Sequence, residues 1–103
     1  MITRASRTVL RHRRALRRLV PLRGPVLLRL REFRLYVRLD DWVIGARIAL
    51  RRAYEPHVAG VFRDRLRPGM HVIDLGANIG YYAMLAAARV GPTGQVSAFE
   101  PDP

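Results

Sequence analysis

A strand-like run in the middle of the chain combines an acid with closely spaced glycines. The run begins at Val72, contains Asp74 and then breaks at Gly76 and Gly80. Glycines with this spacing let the backbone turn tightly and let a ligand approach the main chain without meeting a Cβ atom. The pattern predicts the first strand of a Rossmann-like sheet, followed by a glycine-rich turn that opens a helix and holds a nucleotide-like cofactor.

A further acid follows the next strand-like segment. Glu100 lies 24 residues after Gly76, close to the spacing of about 20 at which an acid in such folds accepts hydrogen bonds from a ribose diol. Asp74, Gly76, Gly80 and Glu100 then belong to one strand–helix–strand unit. This combination is far more specific than a glycine pattern alone, and it predicts a cofactor that contains a ribose.

The residues of the turn discriminate among three such cofactors. A nucleoside triphosphate in a Walker loop needs a lysine before Ser or Thr, and all 19 basic residues of this chain are arginine. A dinucleotide needs GxGxxG, but Asn78 and Tyr81 stand at two of the glycine positions and leave the pyrophosphate contact unsupported. S-adenosylmethionine offers a ribose diol to Glu100 and an ammonium group to Asp74. The residues therefore favour S-adenosylmethionine.

The flanking pattern predicts the elements that position these residues. Met70–Leu75 is mostly apolar, as in a parallel strand that is covered on both faces. A helix follows the turn and ends at Gly91-Pro92, and residues 95–99 form a second strand. The two strands should be parallel, with a right-handed crossover. The helix is expected to bury a stripe made of Ile79, Tyr82, Ala83, Ala86 and Val90.

A small strand and helix lead-in is predicted before this unit. Apolar and polar residues alternate over Glu32–Leu39, the period of a half-buried strand. Asp40-Asp41 predicts a turn and Trp42–Ile44 a partner strand. Residues 45–53 are ambiguous, and residues 26–30 either extend a leader helix or begin the domain.

A helix is predicted from Pro56, at its first helical position, to Arg67. The acid before it, Glu55, is expected to stabilise the helix dipole, and the alternative is that it faces a pocket. The apolar stripe of this helix is expected to pack on the sheet. It consists of Val58, Val61, Phe62 and Leu66.

Charge divides the chain into two parts. Residues 1–31 carry ten arginines and no acid, whereas residues 32–103 carry nine arginines and eight acids. We expect residues 1–31 to be a basic, Arg-rich leader with an amphipathic helix over residues 4–20. A solvated leader is the simpler interpretation. Contact with nucleic acid or an anionic membrane through arginine–phosphate attraction is the alternative, and a mitochondrial transit peptide is a minor one.

Composition argues against several other classes of protein. Without cysteine the chain has no disulfide framework, thiolate nucleophile or cysteine-based metal site. No apolar run approaches the roughly 20 residues needed to cross a bilayer. The three histidines, His12, His57 and His71, lack the spacing of metal ligands. These features predict a cytoplasmic protein without a resident metal, and the arginine-only usage suggests a GC-rich bacterial genome.

Residues 72–103 carry a resemblance to a known family. They read VIDLGANIGYYAMLAAARVGPTGQVSAFEPDP, which resembles the opening of the FkbM family of S-adenosylmethionine-dependent methyltransferases, with its DxGANxG loop and acidic FEP strand end. Tyr54-Glu55-Pro56 and Pro68-Gly69 also resemble that family's lead-in. The resemblance implies a Rossmann-like class I methyltransferase fold and O-methylation of a hydroxyl on a small-molecule or glycan acceptor, such as a sugar or polyketide.

The resemblance also implies which residues bind the cofactor. It places Glu100 on the ribose and a set of turn residues around the methionine and adenosyl portions. That set consists of Asp74, Gly76, Ala77, Asn78 and Gly80.

The length predicts an incomplete domain. A doubly wound sheet needs about 100 to 200 residues, so we expect residues 32–103 to be the N-terminal portion of a methyltransferase domain, with only its first strand–helix–strand unit. In the family, the residues that align the acceptor lie after the second strand, so the catalytic residues stay unassigned. The alternative is a non-catalytic fragment that binds nucleic acid or membrane through its leader. Such a half-sheet should also leave an apolar face and a strand edge uncovered.

Overall fold

A computed structural model describes residues 24–102, which contain two small sheets and three helices. The α/β class expected from the sequence is confirmed. The leader helix predicted over residues 4–20 lies outside the described residues. In chain order the elements are β1 (Val26–Arg29), β2 (Arg34–Val37), α1 (Gly45–Arg51), α2 (Pro56–Arg65), β3 (His71–Leu75), α3 (Tyr81–Val90) and β4 (Gln95–Phe99).

The first sheet is an antiparallel hairpin of β1 and β2, with Leu28 opposite Leu35. The strand predicted within Glu32–Leu39 is confirmed as β2. The prediction that Trp42–Ile44 forms its partner strand is wrong, because the partner is β1, which lies within residues 26–30. The basic range 1–31 therefore contributes a strand to the described fold.

The reason for this difference is a turn that begins at Asp41. The Asp41 carboxylate accepts hydrogen bonds from the amides of Val43 and Ile44, at 3.0 and 3.2 Å. These amides are consequently used within a turn that leads into α1, and they are not free for a strand ladder. Gly45 then opens α1 so close to β2 that a Cβ atom there would lie 2.1 Å from the Arg38 carbonyl oxygen.

The second helix, α2, begins at Pro56 as predicted and ends at Arg65. Its predicted apolar stripe is only partly correct, because Val58 and Val61 are exposed while Leu66, just after the helix, is buried. The inward face is made by Ala59, Phe62 and Leu66, which recur at helical spacing. The small Ala59 gave no signal as a core residue in the sequence, although it is fully buried.

The second sheet is the predicted parallel pair, in which His71 of β3 lies opposite Gln95 of β4 and Leu75 opposite Phe99. Helix α3 joins the two strands and covers one face, where Ala86 and Val90 pack against Val72 and Val96. The C-terminal end of α3 is at Gly91, as expected, with a φ of 64°. The predicted stripe of α3 is correct at Ala86 and Val90 but omits its buried Tyr81 and Leu85.

The opposite face of this sheet is apolar and exposed. Ile73, Leu75 and Phe99 keep 63, 77 and 57% of their surface accessible. The expectation that β3 is covered on both faces is therefore wrong for the described residues, and the expectation of an uncovered apolar face is confirmed. The cause is simple: α3 lies on one side, and the exposed residues alternate with those that it covers.

Candidate functional site

The glycine turn between β3 and α3 has the backbone geometry that its glycines predict. Gly76 and Gly80 have φ values of 78° and 87°, and Asn78 has 52°, a left-handed conformation that asparagine tolerates better than most residues. The amides of Gly76 and Ala77 both donate to the carbonyl oxygen of Phe99, at 2.8 and 3.0 Å. The turn is therefore fastened to the end of β4.

Glu100 lies directly at this turn. One carboxylate oxygen accepts the Asn78 amide at 2.6 Å, and the other accepts the Asp102 amide at 3.0 Å. Each oxygen has a lone pair left, and the side chain is exposed to solvent. The structure thus brings together the turn and the acid whose spacing predicted a common site, and it holds the Glu100 carboxylate in place by two main-chain donors.

Asp74 lies on β3, two residues before Gly76. Its Oδ2 atom is buried, and no group of the described residues donates a hydrogen bond to it. A carboxylate oxygen in this situation has lost water without gaining a protein partner, which costs free energy. Asp74 therefore has an acceptor that a bound donor group would satisfy.

Two cavities meet at the turn. One, of about 150 Å³, has Asp74 in its wall and extends towards the start of α2. The other is an open groove of about 460 Å³ beside Glu100 and Asp102. Gly76, Asn78 and Ile79 line both, so the turn forms the boundary between a smaller cavity and a larger groove. The groove has the size of a typical small-molecule site, about 300 to 1,000 Å³.

The smaller cavity is also lined by residues that were not predicted to belong to the site. They lie at the starts of α1, α2 and α3, and they are Ile44, Tyr54, Glu55, Tyr81 and Tyr82. The three tyrosine rings pack edge to face, with centroids 5.5 to 6.2 Å apart. The tyrosine pair that directly follows Gly80 was the sequence signal that could have identified this wall.

Glu55 lines the smaller cavity, as the alternative prediction has it, and its position directly before α2 also agrees with the predicted stabilisation of the helix dipole. It precedes α2 in a left-handed conformation, with a φ of 43°, and its side chain makes no capping hydrogen bond with the helix. Its Oε2 atom instead accepts the hydroxyl of Tyr82 at 2.7 Å. Burial raises the pKa of Tyr82, and the hydrogen bond to Glu55 raises it further. Because its pKa is raised, Tyr82 keeps its hydroxyl proton and donates a hydrogen bond to Glu55 at the cavity.

The chemistry of the site favours a ligand with donors and a positive group. Among the described residues, the walls of the two cavities contain four acids, Asp74, Glu55, Glu100 and Asp102, and no arginine. Asn78 and the glycines contribute exposed main chain. Such a site can accept hydrogen bonds from hydroxyl and ammonium groups, whereas it offers a phosphate no cationic partner.

The structure gives no indication of a metal centre. Within residues 24–102, no group of three His, Cys, Asp or Glu side chains could hold a metal ion. His71 lies 3.4 Å from the Ser97 hydroxyl, and His12 lies outside the described residues. Among the helices of the described part of the chain, none has the length and apolarity needed to cross a bilayer.

Of the predicted leader, residues 1–31, the structure describes only residues 24–31. The predicted contact of the Arg-rich residues with nucleic acid or an anionic membrane concerns mainly residues 1–23, of which the structure describes none. Comparison of the chain with protein-family models, curated proteins and solved structures gives no match. The assignment of a function therefore depends on the geometry of the turn and its two cavities.

Proposed function

We propose that this chain provides the cofactor-binding portion of an S-adenosylmethionine-dependent O-methyltransferase with a Rossmann-like, FkbM-like fold. The observation that carries the proposal is the position of Glu100. Its carboxylate lies against the amide of Asn78 at the tip of the glycine turn, beside a groove large enough for a nucleoside. A carboxylate at the end of the second strand is the group that such sites use to bind a ribose diol.

The residues present fit this cofactor. The ribose hydroxyls would donate to the remaining lone pairs of Glu100, and the positive φ at Gly76 and Gly80 lets the main chain approach the ligand without side chains. Asp74, with its unpartnered Oδ2 atom, would accept the ammonium group. Ala77 and Asn78 would complete the wall around the methionine and adenosyl portions.

The groove beside Glu100 separates this proposal from phosphate-containing cofactors. A pyrophosphate in the groove would lie beside Glu100 and Asp102, with no cation among the described residues that line it. Two carboxylates beside a phosphate are electrostatically unfavourable. A sulfonium cofactor without phosphate meets no such repulsion.

When bound, S-adenosylmethionine supplies an activated methyl group whose leaving group is a neutral thioether. The task of the chain is then to bind and orient the cofactor, which is how a positioned reactant lowers a barrier. Glu100 and the turn would fix the adenosine end, and Asp74 would fix the amino-acid end. We propose a hydroxyl of a sugar, polyketide or similar metabolite as the acceptor, with the groups that align it and remove its proton contributed by residues outside those described.

The proposal can be tested by titrating the ¹⁵N-labelled chain with S-adenosylhomocysteine, the stable product of methyl transfer. We expect amide shift changes concentrated at residues 74–80 and 100–102. Glu100→Gln should weaken binding by about ten-fold or more, because a charge-assisted hydrogen bond contributes about 1.5 to 3 kcal/mol. A matched control is Asp64→Asn, which removes an exposed acid of α2 and should leave the affinity unchanged.

Parallel titrations with NAD and ATP decide between cofactors. The proposal requires that S-adenosylhomocysteine binds more tightly than either. Tighter binding of NAD at the same amides would assign the turn to a dinucleotide. An affinity for S-adenosylhomocysteine that is equal in the wild type and in Glu100→Gln would remove the basis of the proposal.

A further inference from the structure

The smaller cavity differs in charge from the chain as a whole. The chain contains 19 arginines, yet the described residues of the cavity wall include no arginine and two carboxyl groups, those of Glu55 and Asp74. The remaining wall includes the side chains of Tyr54, Tyr81 and Tyr82. Carboxyl groups together with tyrosine rings, without a protein cation, are the surroundings that stabilise a bound cation.

A hydrogen bond from a distant residue holds Glu55 at this cavity. The hydroxyl of Tyr82, on the first turn of α3, donates to Oε2 of Glu55, on the residue before α2. This hydrogen bond joins residues 27 positions apart and leaves Oε1 free of any protein donor that the structure records. Tyr82 itself is wedged between the rings of Tyr54 and Phe62. One oxygen of the exposed Glu55 carboxyl group is therefore held by Tyr82, and the other is available to a ligand.

We infer that Glu55 is a specificity-determining residue for the amino-acid end of the cofactor. It acts as a second acceptor for the ammonium group beside Asp74, and Tyr82 is its positioning residue. An ammonium group has three N–H donors and needs more than one acceptor when it leaves water. The carboxyl groups of Asp74 and Glu55, two residues that line the same small cavity, meet that need.

This inference rests on the proposed function and extends it, because it assigns a role to a residue outside the glycine turn. The cavity of about 150 Å³ is too small for a nucleoside but large enough for the end of an amino acid. The groove beside Glu100 is the larger space. The two spaces thus divide the cofactor into an amino-acid end and an adenosine end, and each end has its own carboxyl groups.

The test compares two ligands that differ only at the amino-acid end. S-adenosylhomocysteine has the ammonium group, whereas 5′-methylthioadenosine lacks the whole amino-acid portion. Affinities of the wild type, Glu55→Gln, Tyr82→Phe and Asp64→Asn are measured for both by NMR titration. We expect Glu55→Gln to weaken the binding of S-adenosylhomocysteine about ten-fold and to leave the affinity for methylthioadenosine unchanged.

Tyr82→Phe should weaken the binding of S-adenosylhomocysteine by about three-fold, because Glu55 keeps its charge but loses the hydrogen bond that orients it. The affinity for methylthioadenosine should again be unchanged. Asp64→Asn should affect neither ligand. If Glu55→Gln lost affinity for both ligands equally, Glu55 would have a structural role and the inference would be overturned. The inference would also be overturned if Glu55→Gln bound S-adenosylhomocysteine as tightly as the wild type does.

The outcomes also separate this inference from the proposed function. If the wild type binds S-adenosylhomocysteine through Glu100, and Glu55→Gln binds it with the same affinity, only the inference fails. If the wild type binds neither ligand, both fail. If methylthioadenosine binds as tightly as S-adenosylhomocysteine, the adenosine part of the proposal stands, and the cavity has no role in selecting the amino-acid end.

Discussion

The two sheets have strands of similar length, and each has one covered face and one exposed face, which in the hairpin carries Leu27 and Tyr36. The β1–β2 hairpin buries Leu28, Leu35 and Val37 together with Ile48 of α1. The β3–β4 pair has α3 on one face, whereas its other face is open and exposes Leu75. The covered faces also differ, because the hairpin residues are buried whereas Val72 and Val96 under α3 are only partly buried.

Helix α3 is the element that both regions share. Its N-terminal half contributes Tyr81 and Leu85 to the hairpin core, and its C-terminal half contributes Ala86 and Val90 to the sheet core. The glycine turn lies at the start of the same helix. The hairpin core thus anchors the turn and its cavity, and this explains how a site can be ordered beside a sheet with one open face.

The largest effect is expected from truncating a leucine in each region. Leu85 is fully buried, whereas Leu75 keeps 77% of its surface exposed. Leu85→Ala should lower the free energy of unfolding by about 2 to 5 kcal/mol through lost burial and a cavity. Leu75→Ala should change it by less than about 0.5 kcal/mol. Urea denaturation followed by circular dichroism measures both, and similar losses would show that the open face is covered in solution.

A smaller effect is expected from two glycines, one in each region. Gly45→Ala places a Cβ atom against the Arg38 carbonyl and should cost about 1 to 3 kcal/mol. Gly76→Ala meets no neighbouring atom, but its φ of 78° makes it strained by about 1 to 2 kcal/mol.

Asparagine distinguishes the two causes. At position 76 it tolerates the left-handed backbone and should be better than alanine, whereas at position 45 its greater bulk should make it no better than alanine. The same order of stability at both positions, measured by thermal unfolding, would contradict this explanation.

The central unit could be predicted from sequence because its signals are local. The apolar run of β3, the glycines of the turn and the end of α3 at Gly91 each lie within a few residues of what they determine. The position of Glu100 beside the turn followed from the parallel pairing of β3 and β4, which short crossovers impose.

The remainder depended on contacts between distant residues. The strand β1 lies among the arginines of the leader, and only its pairing with β2 distinguishes it from a leader helix. The cavity wall needs α2 to pack beside α3, which places Glu55 within hydrogen-bond distance of Tyr82. No periodicity within either helix specifies that packing. The hydrogen bond between Glu55 and Tyr82 was therefore not predicted from the sequence.

The open face should make the chain self-associate. Exposed apolar patches and unpaired strand edges favour association, so Ile73→Thr combined with Phe99→Thr should lower the average mass seen by light scattering. The free energy of unfolding should change by less than about 0.5 kcal/mol per site, because both side chains are exposed. Tyr36→Thr is the matched control, since Tyr36 is equally exposed on the hairpin. An unchanged mass in the double variant would assign any association to another surface.

The smallest effect is expected at high pH, where the link between α2 and α3 can be titrated. Burial and the nearby Glu55 raise the pKa of Tyr82 above its usual 10.0, and Tyr54 and Tyr81 act in the same direction. The folded state then holds the Tyr82 proton more tightly than the unfolded state does. The resulting stabilisation is complete below about pH 10 and is lost as the pH rises further. Wild type should therefore lose stability relative to Tyr82→Phe above about pH 10, in urea melts at closely spaced pH values. Parallel curves for the two proteins would show that the Tyr82–Glu55 hydrogen bond does not hold α2 against α3 in solution.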